Sequence, residues 1–228
     1  MSWNTQYNIE YGVIKCPLGA FVGIRKYKIK VGAEVMNQNQ RIPQNNSSIA
    51  WFKIANLIER KEREKALSVY KLMSHSLQDR AYALQLEGDI LWYFEEIPEA
   101  CLKYLQSAFL YRNAKRWLDA VSLYEQVLLL DPNNCDALIY SVPCYAQLAW
   151  EQKFKQNLEI ISTLVSQNPS DEKLISHLIK NLAEVGREID AVSFKIQLHD
   201  KLVQLLAFIP KHMAEKFEPV VKKMLLIG

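Results

Sequence analysis

The stretch YLQSAFLYRNAKRWLDAVSLYEQVLLLDP, residues 104–132, decides the fold. Its small residues fall where two helices would have to meet. Read by spacing, Tyr104, Ser107, Ala108 and Tyr111 mark one helix face, Ala120 and Tyr124 a second, and Pro132 ends the unit. An alanine at a crossing point removes the side chain that would hold two axes apart, and large apolar residues fill the space on either side. The sequence therefore predicts a pair of antiparallel helices joined by a short turn.

This spacing resembles the tetratricopeptide (TPR) pattern W-x2-L-G-x2-Y…A-x3-F…P. Outward from it, Ala66-x3-Tyr70 and Ala100-x3-Tyr104 lie one 34-residue period apart, with Gly88 and Leu91 as first-helix positions. Downstream the pattern is weaker, at Leu148, Asn157, Ile161 and Pro169, then Leu178, Leu182 and Ala191. The residues assigned to packing between helices are Gly88, Ala100, Tyr104, Ala108, Tyr111, Ala120, Tyr124, Pro132 and Ala191. Ala100 and Ala120 are only 20 apart, so the helix near 99–113 serves either as the second member of one pair or the first of the next. The resemblance covers residues 49–206. It implies an all-α, TPR-like right-handed α-solenoid of antiparallel helix pairs, in which each pair is stable only against its neighbours. Alpha-SNAP-type arrays read similarly over residues 108–120 and are an adjacent possibility.

Composition agrees. The chain has 228 residues, half of them apolar, with only 7 glycines and 8 prolines, which suits long regular elements. Ten helices are expected near 49–60, 64–77, 80–94, 99–113, 116–130, 136–150, 154–167, 171–185, 188–206 and 211–226. Ser170 is the expected N-cap of the eighth. Gly186 is expected to close it in a left-handed conformation, and Pro219 to break the last. That last helix, about 211–226, would cap the array. Residues 37–48 are a polar linker, and residues 1–36 form a strand-like or loose arm. There Arg25 to Val31 alternate apolar residues with lysine, and the segment 16–19 offers a hairpin turn. Met36 is an alternative natural start.

Charge divides the chain. Residues 1–48 hold six Lys/Arg and two Asp/Glu, net +4, whereas the rest holds 22 and 23, net −1. The helical part lacks the basic field of a nucleic-acid binder. The run Arg25–Lys30 keeps that alternative open for the arm, beside a strand edge protected by lysines. The 211–226 helix could likewise lie on a membrane surface. Four scattered cysteines, Cys16, Cys101, Cys135 and Cys144, read as reduced thiols. The opening residues lack a basic and apolar leader pattern, so a cytoplasmic protein is expected.

No chemistry-bearing motif is present. His75, His177, His199 and His212 show no metal-ligand spacing, and there is no P-loop, G-x-S-x-G or G-x-G-x-x-G. No enzyme and no cofactor are expected. The TPR resemblance implies instead a concave groove lined by first-helix residues: Tyr82, Gln85, Asp89, Trp92 and Tyr93 in one unit, Leu102, Leu105, Phe109, Arg112 and Asn113 in the next, and Trp150 beyond. Trp92 and Trp150 equally suit the space between helices. The Lys/Asn/Arg clamp that grips chaperone tails in some members is missing, since Gln85, Asp89, Leu105 and Phe109 stand at its positions. The expected role is a scaffold or adaptor that holds a peptide or partner protein. Placing a long side chain in the helix seam should be costly: Ala120→Arg is expected to lose roughly 1–3 kcal/mol or more, read as a lowered melting temperature by circular dichroism.

Overall fold

In a computed structural model, residues 12–15, 21–24 and 46–225 are described. The chain divides into two units, Met1–Gln44 and Asn45–Gly228. In the first, β1 (Gly12–Lys15) pairs antiparallel with β2 (Phe21–Ile24), Val13 opposite Gly23 and Ile14 opposite Val22. The alternating run Arg25–Val31, most of the linker and Met36 lie outside the described residues.

The second unit is all-α. Its helices are α1 (Asn46–Glu59), α2 (Arg63–Ser74), α3 (Arg80–Tyr93), α4 (Ile97–Asn113) and α5 (Trp117–Leu130), then α6 (Cys135–Gln147), α7 (Glu151–Gln167), α8 (Glu172–Val185), α9 (Val192–Phe208) and α10 (Lys211–Leu225). Three polar caps start helices. The side chains of Asp79, Asn134 and Asp171 accept from the backbone N–H of Tyr82, Ala137 and Leu174, at 3.0–3.1 Å.

Four turns share one design. Lys61, Glu95, Lys115 and Ala149 are all left-handed, with φ between 54° and 62°. Each donates its N–H to the carbonyl three residues back, on Ile58, Trp92, Arg112 and Ala146. The following residue, Glu62, Glu96, Arg116 or Trp150, donates to the carbonyl five back, on Leu57, Leu91, Tyr111 or Tyr145. These paired bonds are the Schellman closure, which satisfies the last carbonyls of a helix. Four residues further on, each new helix buries Ala66, Ala100, Ala120 or Phe154 completely.

The turns also give the period. Lys61 to Glu95 and Lys115 to Ala149 are 34 residues each, but Glu95 to Lys115 is 20. α4 thus stands between two turns of the same kind and packs on both α3 and α5. Asn157, which the weaker downstream pattern picked out, is not the equivalent of Ala120: Phe154, 34 residues on, occupies the alanine position. Asn157 is buried beside it and donates to Leu138 O at 2.7 Å and Ser141 Oγ at 2.8 Å.

From α4 onward, α4, α6, α8 and α10 touch in succession, and α7 touches α9. Phe154 meets Phe194 edge-on at 4.9 Å between ring centres. One continuous core runs from Ala81 to Met224. A smaller cluster of Ile54, Tyr70, Met73 and Ile90 joins α1 and α2 to α3.

Other expectations are corrected. The last three linker residues, 46–48, are already helical. Asp171, not Ser170, caps α8, because its carboxylate reaches Leu174 N. Gly186 is right-handed, at φ −60°. Its lack of a side chain instead makes room for Met224 of α10 and Leu198 of α9. Ala191 is exposed at the start of α9, one residue before the helix, and packs no seam. Pro132 is likewise exposed, in the turn before α6. Pro219 does not break α10: it lies on the solvent side, where a missing backbone donor is least costly.

In the α3–α4 seam the helices meet over a glycine. A Cβ on Gly88 would lie 2.7 Å from Tyr104 Cε1. The Tyr104 hydroxyl donates to Asp89 Oδ1 at 2.8 Å, Ser107 Oγ to Ala81 O at 2.6 Å, and Tyr111 to Gln85 Oε1 at 3.3 Å. Burial raises the Asp89 carboxyl above its ordinary pKa, against a smaller lowering by the Tyr104 hydroxyl. The folded state therefore holds the Asp89 proton more tightly than the unfolded chain. This contribution to stability is full below the ordinary aspartate value and is lost as pH rises through the raised one. Asp89→Asn keeps an oxygen for Tyr104, so it should melt higher than wild type near neutral pH, with the gap closing in acid. At the turn, Lys115→Gly relieves a left-handed strain of about 1–2 kcal/mol, less about 0.5–1 kcal/mol of added chain entropy; urea denaturation should show a net gain.

Candidate binding face on α4

The outward stripe of α4 is built by helical spacing. Leu102, Leu105, Phe109 and Arg112 recur every three or four residues and share one face. α3 and α5 cover the other sides of the helix, through Tyr104, Ser107 and Tyr111 towards α3 and through the tight turn at Lys115 towards α5. Leu102 is 54% exposed and Phe109 47%. Leu105 is half-buried against the core.

Arg112 is the odd member, only 7% exposed. Its guanidinium carbon lies 4.8 Å from the ring centre of Tyr140 on α6 and 5.6 Å from that of Phe109. Glu188, in the 3-10 turn Gly186–Glu188, places Oε1 4.0 Å from Arg112 Nη2. That is an ion pair at its outer limit, too long for a hydrogen bond. Among the described residues, the buried Arg112 Nε and Nη1 find no hydrogen-bond partner, and neither does the Tyr124 hydroxyl.

α6 and α8 continue the row. His177 Nε2 is 2.9 Å from Asp136 Oδ1, and Asn181 Nδ2 is 3.2 Å from His177 Nδ1. Lys173, Ser176, Lys180 and Glu184 line the outer face of α8 around them. The Lys216 ammonium binds Glu172 at 2.7 Å.

The residues assigned to a groove do not share one face. Phe109, Arg112 and Asn113 are on the outward side of α4, with Asn113 exposed. Tyr82 and Tyr93 are exposed on α3, and Trp92 is half-buried against the core, tilted on Tyr93 with ring centres 5.5 Å apart. Gln85 and Asp89 are not free for a ligand: Tyr111 and Tyr104 of α4 use their oxygens. Trp150 is no first-helix residue; it is the second residue of a Schellman turn, stacked on Tyr145 at 6.4 Å. Arg116 stacks on Tyr111 in the equivalent turn, at 4.3 Å.

Sequence reading missed Tyr140, Asp136, His177 and Glu188. One signal for them was available, because adding the 34-residue period to Leu102 gives Asp136. The others follow from the α4–α6–α8 row, which the sequence does not display.

The described residues contain no cluster of three metal-ligating side chains. Burial raises the Cys144 thiol to about 12, and Cys101 and Cys135 are raised by the same cause, which makes all three poor nucleophiles. No helix among the described residues is long and apolar enough to cross a membrane. Met213, Phe217, Val221 and Met224 of α10 are buried in the core, so the apolar face that a membrane surface would need is already used. The basic run Arg25–Lys30, on which a nucleic-acid reading rests, lies outside the described residues.

No family model and no curated protein matches the chain. Among solved structures it is similar to one described as MamA RS-1 ArsTM double mutant, at 14% identity over 71% of this chain and 94% of that one, with a TM-score of 0.26. A likeness at that score supports no conclusion about function.

Proposed function

We propose that residues 49–228 form a TPR-like right-handed solenoid, acting in the cytoplasm as a non-catalytic scaffold or adaptor for a peptide or partner protein. The outward stripe of α4 carries this reading. A free helix face with exposed Leu102 and Phe109 beside a buried arginine is a surface built for contact, since aromatic and arginine side chains are frequent anchors of interfaces. The recurrence of one turn design at a 34-residue period supports the repeat architecture. The contact would act by shape, apolar burial and charge, with no covalent step.

A comparative pull-down tests it. Leu102→Ala/Phe109→Ala removes two exposed side chains and leaves the core alone, so helical content should be unchanged by circular dichroism. A partner retained by wild type and lost by this variant supports the reading. If every partner survives, α4 is not the binding face.

A further inference from the structure

On the reading of α4 as a binding face, we propose that Arg112 receives the side-chain carboxylate of a glutamate in an acidic partner peptide. Glu188 of this chain holds that position when no partner is bound.

The turn does not require a charge here. Four residues occupy the equivalent place, three before each left-handed residue: Ile58, Trp92, Arg112 and Ala146. Three are uncharged, and Ala146 is buried. The guanidinium at Arg112 is therefore an addition to the repeat, and a costly one, since an incompletely paired charge inside a protein is strongly unfavourable.

Its present compensation is incomplete. The rings of Tyr140 and Phe109 flank it, but Nε and Nη1 lack acceptors and Glu188 stands 4.0 Å from Nη2. Nη2 is the guanidinium nitrogen that keeps access to the surface, and a carboxylate that approached it to hydrogen-bond distance would supply the charge-assisted bond that Glu188 does not make.

Glu188 is placed to yield. Its side chain is 44% exposed, in a three-residue turn held to the core by Gly186 at one end and Ile189 at the other. The carboxylate can swing outward while Ile189 stays buried. The resident group is itself a glutamate side chain in a non-α segment, so the occupant that matches the site is of the same kind.

Beyond Arg112 itself, the surroundings favour a partly apolar peptide. From Arg112 the exposed stripe runs back to Leu102, roughly 15 Å along the helix, or about five residues of extended chain. Beside the stripe, Lys216 of α10 pairs with Glu172, and Lys173 and Lys180 of α8 stand near Glu184 and Asp136.

The test is selection of a phage-displayed random dodecapeptide library on the full chain, followed by titration of labelled synthetic copies. Enriched peptides should share a glutamate and apolar residues, and changing that glutamate to glutamine should weaken binding roughly tenfold or more. Arg112→Lys should lose a similar factor, whereas Glu188→Gln should tighten binding by up to about fivefold, since it removes an exposed competing carboxylate. The glutamine peptide and Glu188→Gln both read the site without disturbing the core. Enriched peptides that lack an acid, or whose affinity ignores all three changes, overturn the role of Arg112 and leave the binding face standing. If no peptide is enriched, the binding face itself is overturned.

Discussion

The helical unit depends on how closely two helices can approach after a tight turn. The Schellman closure fixes where a helix stops and the direction in which the chain leaves. The new helix then starts at a set distance, and its fourth residue beyond the cap meets the preceding helix. Ala66, Ala100 and Ala120 stand there with no exposed surface, so the axes come together over a methyl group. Turn and alanine are one device. The turn brings the backbones in, and the alanine lets them stay. The left-handed residues are Lys61, Glu95, Lys115 and Ala149, none of them glycine, so each turn accepts about 1–2 kcal/mol of local strain. Packing of the pair must outweigh that strain, which is why such a turn is not expected to persist in an isolated helix.

The 20-residue interval puts α4 under two such constraints at once. On one side, Tyr104 lies against Gly88 at a distance no other residue would allow. On the other, the closure at Lys115 draws α5 in, with Ala108 and Ala120 both fully buried. A helix in a regular array serves one pair. Here α4 is the second member of one and the first of the next. Two of its faces are taken by near neighbours, and the remaining stripe meets α6 near its C-terminal end, through Arg112 and Tyr140. The exposed Leu102 and Phe109 are a direct outcome of this shared use.

Much of this was legible in the sequence, because its physics is local. Helix existence follows from apolar periodicity and from the Asp-Pro and Asn-Pro stops, and the structure has a helix at each of the ten expected places. The slip was visible as the spacing of Ala100 and Ala120. What stayed hidden depends on tertiary contact. Phe154 gives no small-residue signal, although it occupies the alanine position of its turn. Gly186 resembles a helix stop, but it clears a path for Met224, 38 residues away in the chain. Gln85 and Asp89 carry the polarity of groove residues, yet the tyrosines of α4 claim them. Only the pairing of helices shows which oxygens are already engaged.

Asp89 and Arg112 are both incompletely compensated charges, but they differ in what surrounds them. Asp89 is half-buried in the seam between α3 and α4, where the Tyr104 hydroxyl bonds it, and a proton relieves its charge. Arg112 offers only hydrogen-bond donors. Its relief must come from an anion, and the anion on hand, Glu188, is held at the edge of contact. A half-buried carboxylate tunes stability with pH. A buried guanidinium beside an exposed apolar stripe is served by an acid, whether from its own chain or from a partner. The same unfavourable burial therefore has different consequences, and the difference is the chemistry that relieves each charge.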